Sequence, residues 1–318
     1  MNGIDFTTGL GETIAWPWPI AVYLFFAGIS GGAICVALMM RFFKGQTENT
    51  PLLKAATLLG FVAIALGMVC LVFDLTNPLF FWKMLVFYNL KSVMSIGVIA
   101  LLFFIPLTVM LAAWALREEI AQWAVRFPIL NLVNSIMDKL VGIRRPAEWL
   151  TLILALSVCA YTGFLISALI RFPLINTSVL PALFIASGLS AGAAAAKLLA
   201  VAMFKENVHS QEMGILHKAE WPILGAEALF LFMLFSALLF SGSDGQAAMG
   251  AFAGGVWTNL FWVGVVGLGF IAPVVFGFGF GQKFAHSKQA LYLTSACVIC
   301  GMMCLRLFLL YAGQIYAI

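Results

Sequence analysis

Eight apolar stretches, at about 17–43, 52–75, 91–116, 147–170, 179–204, 219–242, 257–280 and 290–316, leave a chain of this kind one way to fold. Each is long enough, at roughly 20 residues or more, to cross a hydrocarbon core about 30 Å thick as an α-helix, which satisfies its own backbone hydrogen bonds there. Hydrophobic residues make up 63% of the chain and charged ones only 9%, with a mean hydropathy of +1.06, so a soluble catalytic domain is a poor description. The predicted fold is all-α and polytopic: one integral membrane domain over residues 1–318, with eight transmembrane helices and nothing of domain size outside them.

The basic residues orient these helices. Arg41, Lys44, Lys54, Arg117, Arg126, Lys139, Arg144, Arg145, Lys205, Lys218, Lys283 and Lys288 follow odd-numbered spans, whereas only Lys83, Lys91 and Arg171 fall in the other loops. By the positive-inside rule both termini are expected outside, which in the inner (cytoplasmic) membrane of a bacterium means the periplasm. The first fifteen residues hold Asp5 and Glu12 but no Lys or Arg, unlike the basic start of a secretory signal, so the first span is read as part of the fold. The net charge of +4 is this same loop bias and gives no reason to expect a nucleic acid partner.

Two weak internal similarities suggest halves of four helices. Gly28-Ile29-Ser30-Gly31-Gly32-Ala33 in the first span resembles Gly188-Leu189-Ser190-Ala191-Gly192-Ala193 in the fifth, and Tyr161-Thr162-Gly163 resembles Tyr311-Ala312-Gly313. Small residues at these spacings also serve close helix packing, so both readings stand. Pro78-Leu79-Phe80-Phe81-Trp82-Lys83-Met84 is too aromatic for a solvated loop and is expected to lie in the outer membrane interface. The longest loop, Arg117 to Arg145, is expected to be cytoplasmic, partly helical and a solvated connector.

Chemistry in such a chain must come from the few polar residues inside the spans. His209, His217 and His286 lie in or beside cytoplasmic connections, so no two histidines face each other across the bundle and no haem is expected. The six cysteines all fall within spans, where Cys297, Cys300 and Cys304 share a helical face without a fourth ligand; small apolar packing is expected and no metal. Arg306, a full charge within the last span, faces the interior either as a structural hub or as part of a ligand site. Tyr161 falls at a similar depth, Asp74 closes the second span, and Tyr23, Ser92 and Ser95 come early in spans entering from outside. Together they would make the polar end of an apolar pocket suited to a quinone, with hydrogen bonds at the ring oxygens and Asp74 as the group exchanging protons with outside water. Glu220 and Glu227, seven residues apart on one face of the sixth span, suggest a proton path from the cytoplasm with Lys197 as a partner; a hydrogen-bonded Glu227 of purely structural role is the competing reading.

At these residues the chain resembles the NrfD/PsrC family of membrane subunits. The resemblance runs from Trp18-Pro19-Ile20-Ala21-Val22-Tyr23 through Asp74-Leu75-Thr76-Asn77-Pro78, Phe81-Trp82-Lys83-Met84, Ser92-Val93-Met94-Ser95 and Ala160-Tyr161-Thr162-Gly163 to Arg306 and Tyr311-Ala312-Gly313-Gln314. It implies a haem-free subunit of a respiratory oxidoreductase that binds menaquinone or menaquinol near the periplasmic face. It further implies electron exchange with a periplasmic ferredoxin-like iron–sulfur subunit, and a terminal reductase subunit with molybdopterin or several haems, with lipid as the remaining partner. The quinone role passes to Tyr161 and Asp74 by motif, and to Tyr23, Ser92 and Arg306 by position. Two other classes stay open: a secondary transporter or proton-translocating subunit, and a purely structural anchor.

Overall fold

The structure is a computed structural model that describes residues 16–75, 78–279 and 287–315; the expectations resting on Asp5, Glu12, Thr76, Asn77, Lys283 and His286 lie outside them. Among the described residues there is no strand. Eight helices are long and apolar enough to span a membrane: α1 (Trp18–Lys44), α2 (Pro51–Phe73), α3 (Val93–Ala115), α4 (Arg144–Ser167), α5 (Leu180–Ala202), α6 (Gln211–Phe240), α7 (Val256–Gly277) and α8 (Lys288–Ile315). Local chemistry sets several ends. Thr50 caps α2 by accepting from the Leu53 amide at 3.3 Å, with Pro51 at the first helical position, and Gly45 closes α1 in a left-handed turn. Ser210 accepts from the Met213 amide and starts α6 eight residues earlier than the apolar run alone suggested, at Gln211 rather than 219. Within α7, Leu260–Ile271 is wound as a π-helix.

Two helices form the axis of the bundle. The span windows of α1 and α5 are 83% and 78% buried, against 17% for α6 and for α7, so the latter pair lies at the rim. The two similar glycine segments are what bring α1 and α5 together. A β-carbon on Gly32 would overlap the Gly188 carbonyl, and one on Gly192 would enter the backbone of Gly32 and Ala33, so only glycine permits this approach. Both contacts advance in the same direction along the two helices, so α1 and α5 run parallel.

The polypeptide's described ends meet at one face. The Gln314 side chain of α8 accepts from the Trp16 amide at 2.9 Å and donates to the Trp16 carbonyl at 3.1 Å. This end, where α1 begins, is the one the charge bias assigns to the periplasm. At the opposite end the basic residues are tied by carboxylates: Arg41 and Arg144 share Glu148 at 3.1 and 3.0 Å, Lys54 reaches Glu118 and Glu119 at 2.8 and 2.9 Å, and Lys44 lies 3.7 Å from Glu212. The Arg117 to Arg145 connection contains helices Arg117–Ala124 and Leu130–Lys139. Pro78–Leu85 is a 3-10 segment whose Leu79, Phe80, Phe81 and Trp82 side chains are exposed.

Candidate functional site

The site is built from the α1 end inward. Tyr23, one and a half turns into α1, is fully buried, and its hydroxyl has no hydrogen bond of good geometry among the described residues although it neighbours that of Tyr161. Room for the Tyr161 ring comes from glycine. A β-carbon on Gly97 of α3 would fall inside the Tyr161 ring, and one on Gly67 of α2 would lie 3.4 Å from the Tyr23 ring. Asp74 caps α2 two turns beyond Gly67, half-buried, its backbone amide donating to the Cys70 carbonyl and its carboxyl making no hydrogen bond or ion pair with any described residue. Burial holds its carboxyl above the usual carboxylate range, so it stays protonated at a higher pH than an exposed aspartate. Ser92 stands at the N-cap of α3, half-buried, and makes no capping bond. On the α7–α8 side of this end Tyr311 stacks on Trp257, with ring centroids 4.9 Å apart and planes inclined by 6°.

Arg306 lies further in and meets other partners. Its guanidinium is wholly buried, stands 3.5 Å over the Phe184 ring, and donates through Nη2 to the Ser187 hydroxyl at 2.8 Å and to the Phe184 carbonyl at 3.5 Å. Such a stack suits guanidinium, which is planar and weakly hydrated. Gly28 lets α1 pass close beside it. The carboxyl group that acts on it electrostatically is Glu227 of α6, with no ion pair between the two, while Nε and Nη1 have no hydrogen-bond partner among the described residues.

From Arg306 a polar seam continues to the opposite end. Ser187, Ser190 and Lys197 recur on one face of α5, spaced by three and seven residues, and they oppose Glu227 and Glu220 on α6. Ser190 is placed to donate to Glu227, and Lys197 makes an ion pair with Glu220, which also lies 3.6 Å from His217. Along α5 the seam from Ser187 to Lys197 covers about 15 Å, half the membrane core. A cavity of about 220 Å³ opens beside it, lined by Ser190, Lys197, His217, Glu220, Trp221 and Ser295 among others. It has space for several waters at about 30 Å³ each. The buried Ser295 hydroxyl borders it without a partner among the described residues.

Of the residues singled out in the sequence, Tyr23 and Tyr161 are therefore brought together, and Lys197 with Glu220. Arg306 joins Glu227's cluster rather than the tyrosines. Ser187, Ser190 and Phe184 escaped sequence reasoning because they sit in a run of small and apolar residues that looks like packing alone; the signal was the common face they share with Lys197.

A family model described as polysulphide reductase, NrfD, matches residues 7–317. The chain belongs to the NrfD family. It is 39% identical over 312 residues to the C component of the polysulfide reductase of Wolinella succinogenes and 37% identical over 312 residues to protein NrfD of Escherichia coli, in both cases spanning 96% of either sequence. The C component of the selenate reductase of Mesobacillus selenatarsenatis is 23% identical over 327 residues, 95% of this chain and 74% of that one. The sequence resemblance to the NrfD/PsrC family is thus met across nearly the whole length, and with its eight spans this NrfD-family chain is a multi-pass membrane protein.

Proposed function

We propose that this NrfD-family chain is the quinone-binding membrane subunit of a respiratory oxidoreductase in the bacterial inner membrane, passing electrons between menaquinol and a periplasmic iron–sulfur subunit. Relatives named as single components of polysulfide and selenate reductases support a membrane subunit working beside separate reductase chains. The observation that carries the quinone reading is the buried Tyr23 hydroxyl, left without a well-formed bond to any described residue beside Tyr161, whose ring packs directly on Gly97. These residues fit a quinone: two phenol hydroxyls to meet a ring oxygen, and a carboxyl group toward the surface. The bound quinol supplies two electrons and two protons.

This chain's own residues then have separable tasks. Tyr161 and Tyr23 orient the quinone ring, Gly97 gives the Tyr161 side chain its place, and Asp74 accepts a proton and releases it to water at the periplasmic face. Ser92, at the mouth of α3, is placed to hydrogen-bond the outer oxygen. Arg306 holds positive potential behind the tyrosines. Purified complex incubated with a menaquinol analogue should reduce the partner's clusters, with the rate lost in Tyr161→Phe and Asp74→Asn while assembly persists. A structural anchor would leave the rate unchanged in both variants.

The seam supports a second role for the same subunit, proton movement from the cytoplasm along Glu220 and Glu227 toward Arg306. In proteoliposomes Glu220→Gln and Glu227→Gln should abolish turnover-linked proton uptake on the Lys197 side. Uptake of a solute by the chain alone, with no quinol response, would replace both readings with a secondary transporter.

A further inference from the structure

The connection between α3 and α4 carries more apolar surface than its packing uses. In the helix Leu130–Lys139 one stripe, Val133, Met137 and Leu140, packs on the bundle, where the Trp114 indole donates to the Met137 carbonyl at 3.1 Å. A second stripe one residue behind, Ile129, Leu132 and Ile136, faces away and is 76%, 62% and 43% exposed. Trp123 on the preceding helix is 65% exposed. Large side chains so placed cost free energy in water and gain it at a membrane interface. A solvated connector would not carry them, so the sequence expectation for this loop needs revising.

Charge selects the occupant. The acidic groups here are all engaged: Glu118 and Glu119 with Lys54, and Asp138 with Arg117. Arg126, Lys139 and Arg145 have no carboxylate partner among the described residues, and Arg145 only lies over the Phe42 ring at 4.9 Å. Val141 and Ile143 are also exposed and lead in sequence to the outward face of α4, where Trp149, Leu150 and Ile153 are exposed on a membrane span. An aqueous protein partner would have to stop at that boundary; a lipid leaflet covers both sides of it.

We propose that residues 117–145 form an interfacial platform, seated in the headgroup layer at the α1 C-terminal end of the bundle, that binds anionic phospholipid through Arg126, Lys139 and Arg145. Each such cation near an anionic surface is worth about fivefold in partitioning, so three give a preference that survives the loss of one.

The test uses the full chain, within its complex as purified, in nanodiscs of phosphatidylcholine with or without phosphatidylglycerol. The fluorescence component removed by Trp123→Phe should be quenched by lipids brominated near the headgroup and spared by acrylamide, with Trp149→Phe reporting a membrane-embedded reference. Native mass spectrometry should find phosphatidylglycerol retained over phosphatidylcholine, falling about fivefold for each of Arg126→Gln, Lys139→Gln and Arg145→Gln. Acrylamide quenching of Trp123 without bromolipid quenching overturns the proposal in favour of a solvated loop. Protection from both quenchers in the complex but not in the isolated chain overturns it in favour of a protein partner. Quenching by bromolipid with no lipid preference overturns the anionic assignment.

Discussion

The two ends of the bundle are built from opposite chemistry. Toward the α1 N-terminus the buried groups are the neutral Tyr23 and Tyr161 hydroxyls, packed beside Gly67 and Gly97, with the Asp74 carboxyl farther out; toward the other end they are charges already matched, Lys197 with Glu220, beside a cavity that admits water. The first arrangement leaves hydrogen-bonding capacity unspent and so suits a ligand. The second leaves little unspent beyond the Ser295 hydroxyl and so suits relay or support. Arg306 stands between them, bound to Ser187 and acted on electrostatically by Glu227.

Substitutions at the tyrosine end should have the largest effect. Asp74→Asn should lower quinol oxidation by about 100-fold, the lower end expected for loss of a positioned base, in steady-state turnover of the complex. The wild-type pH profile should carry a matching acid limb. Burial raises the Asp74 pKa, and only its carboxylate accepts a proton, so activity should fall as pH drops through a value above the ordinary aspartate range. In Asp74→Asn that limb should vanish; a limb that persists would assign it elsewhere. Gly97→Ala comes next. Its β-carbon displaces the Tyr161 ring, and an overpacking cost of about 1–3 kcal/mol should appear as roughly tenfold or greater weakening of quinone-analogue binding in a direct titration.

The matched end should respond in stability rather than in quinol chemistry. Lys197→Met leaves the Glu220 carboxylate without its cation and should cost about 3 kcal/mol, read as lower thermal resistance in detergent, whereas Lys197→Met with Glu220→Leu should recover most of it. Equal loss in single and double variants would show that the two residues do not act as a pair. The smallest effect is expected at the middle. Arg306→Lys keeps the charge but loses the flat stack on Phe184, about 1 kcal/mol, visible as a modest decrease in melting temperature with quinol turnover retained.

The spans were legible because lipid imposes one rule on every backbone group, and about twenty apolar residues announce it without help from neighbours. The start of α6 at Gln211 was not, since Ser210's cap and the amphipathic turn after it carry no apolar run. Tyr23, Tyr161 and Asp74 stood out as polar groups near one end of their spans. What their types and depths did not reveal was rotation about each helix axis, which decides that Arg306 turns to Ser187 and not to Tyr161. The glycine echo carried real information of a different kind: it marked the two surfaces that touch. In the connection from Arg117 to Arg145 the mixed charges read as soluble, and which of them lack a carboxylate partner emerged only once the acidic residues had been matched.

The Gln314 clasp on Trp16 has a consequence for biogenesis. α8 follows α1 only after six intervening spans, so α1 waits for it before its entry is secured and before the guanidinium arrives beside Gly28. A polypeptide stalled after α7 would already hold α5 against Gly32 but would leave α1 unlatched, with its Gly28 flank uncovered where Met302 and Arg306 belong.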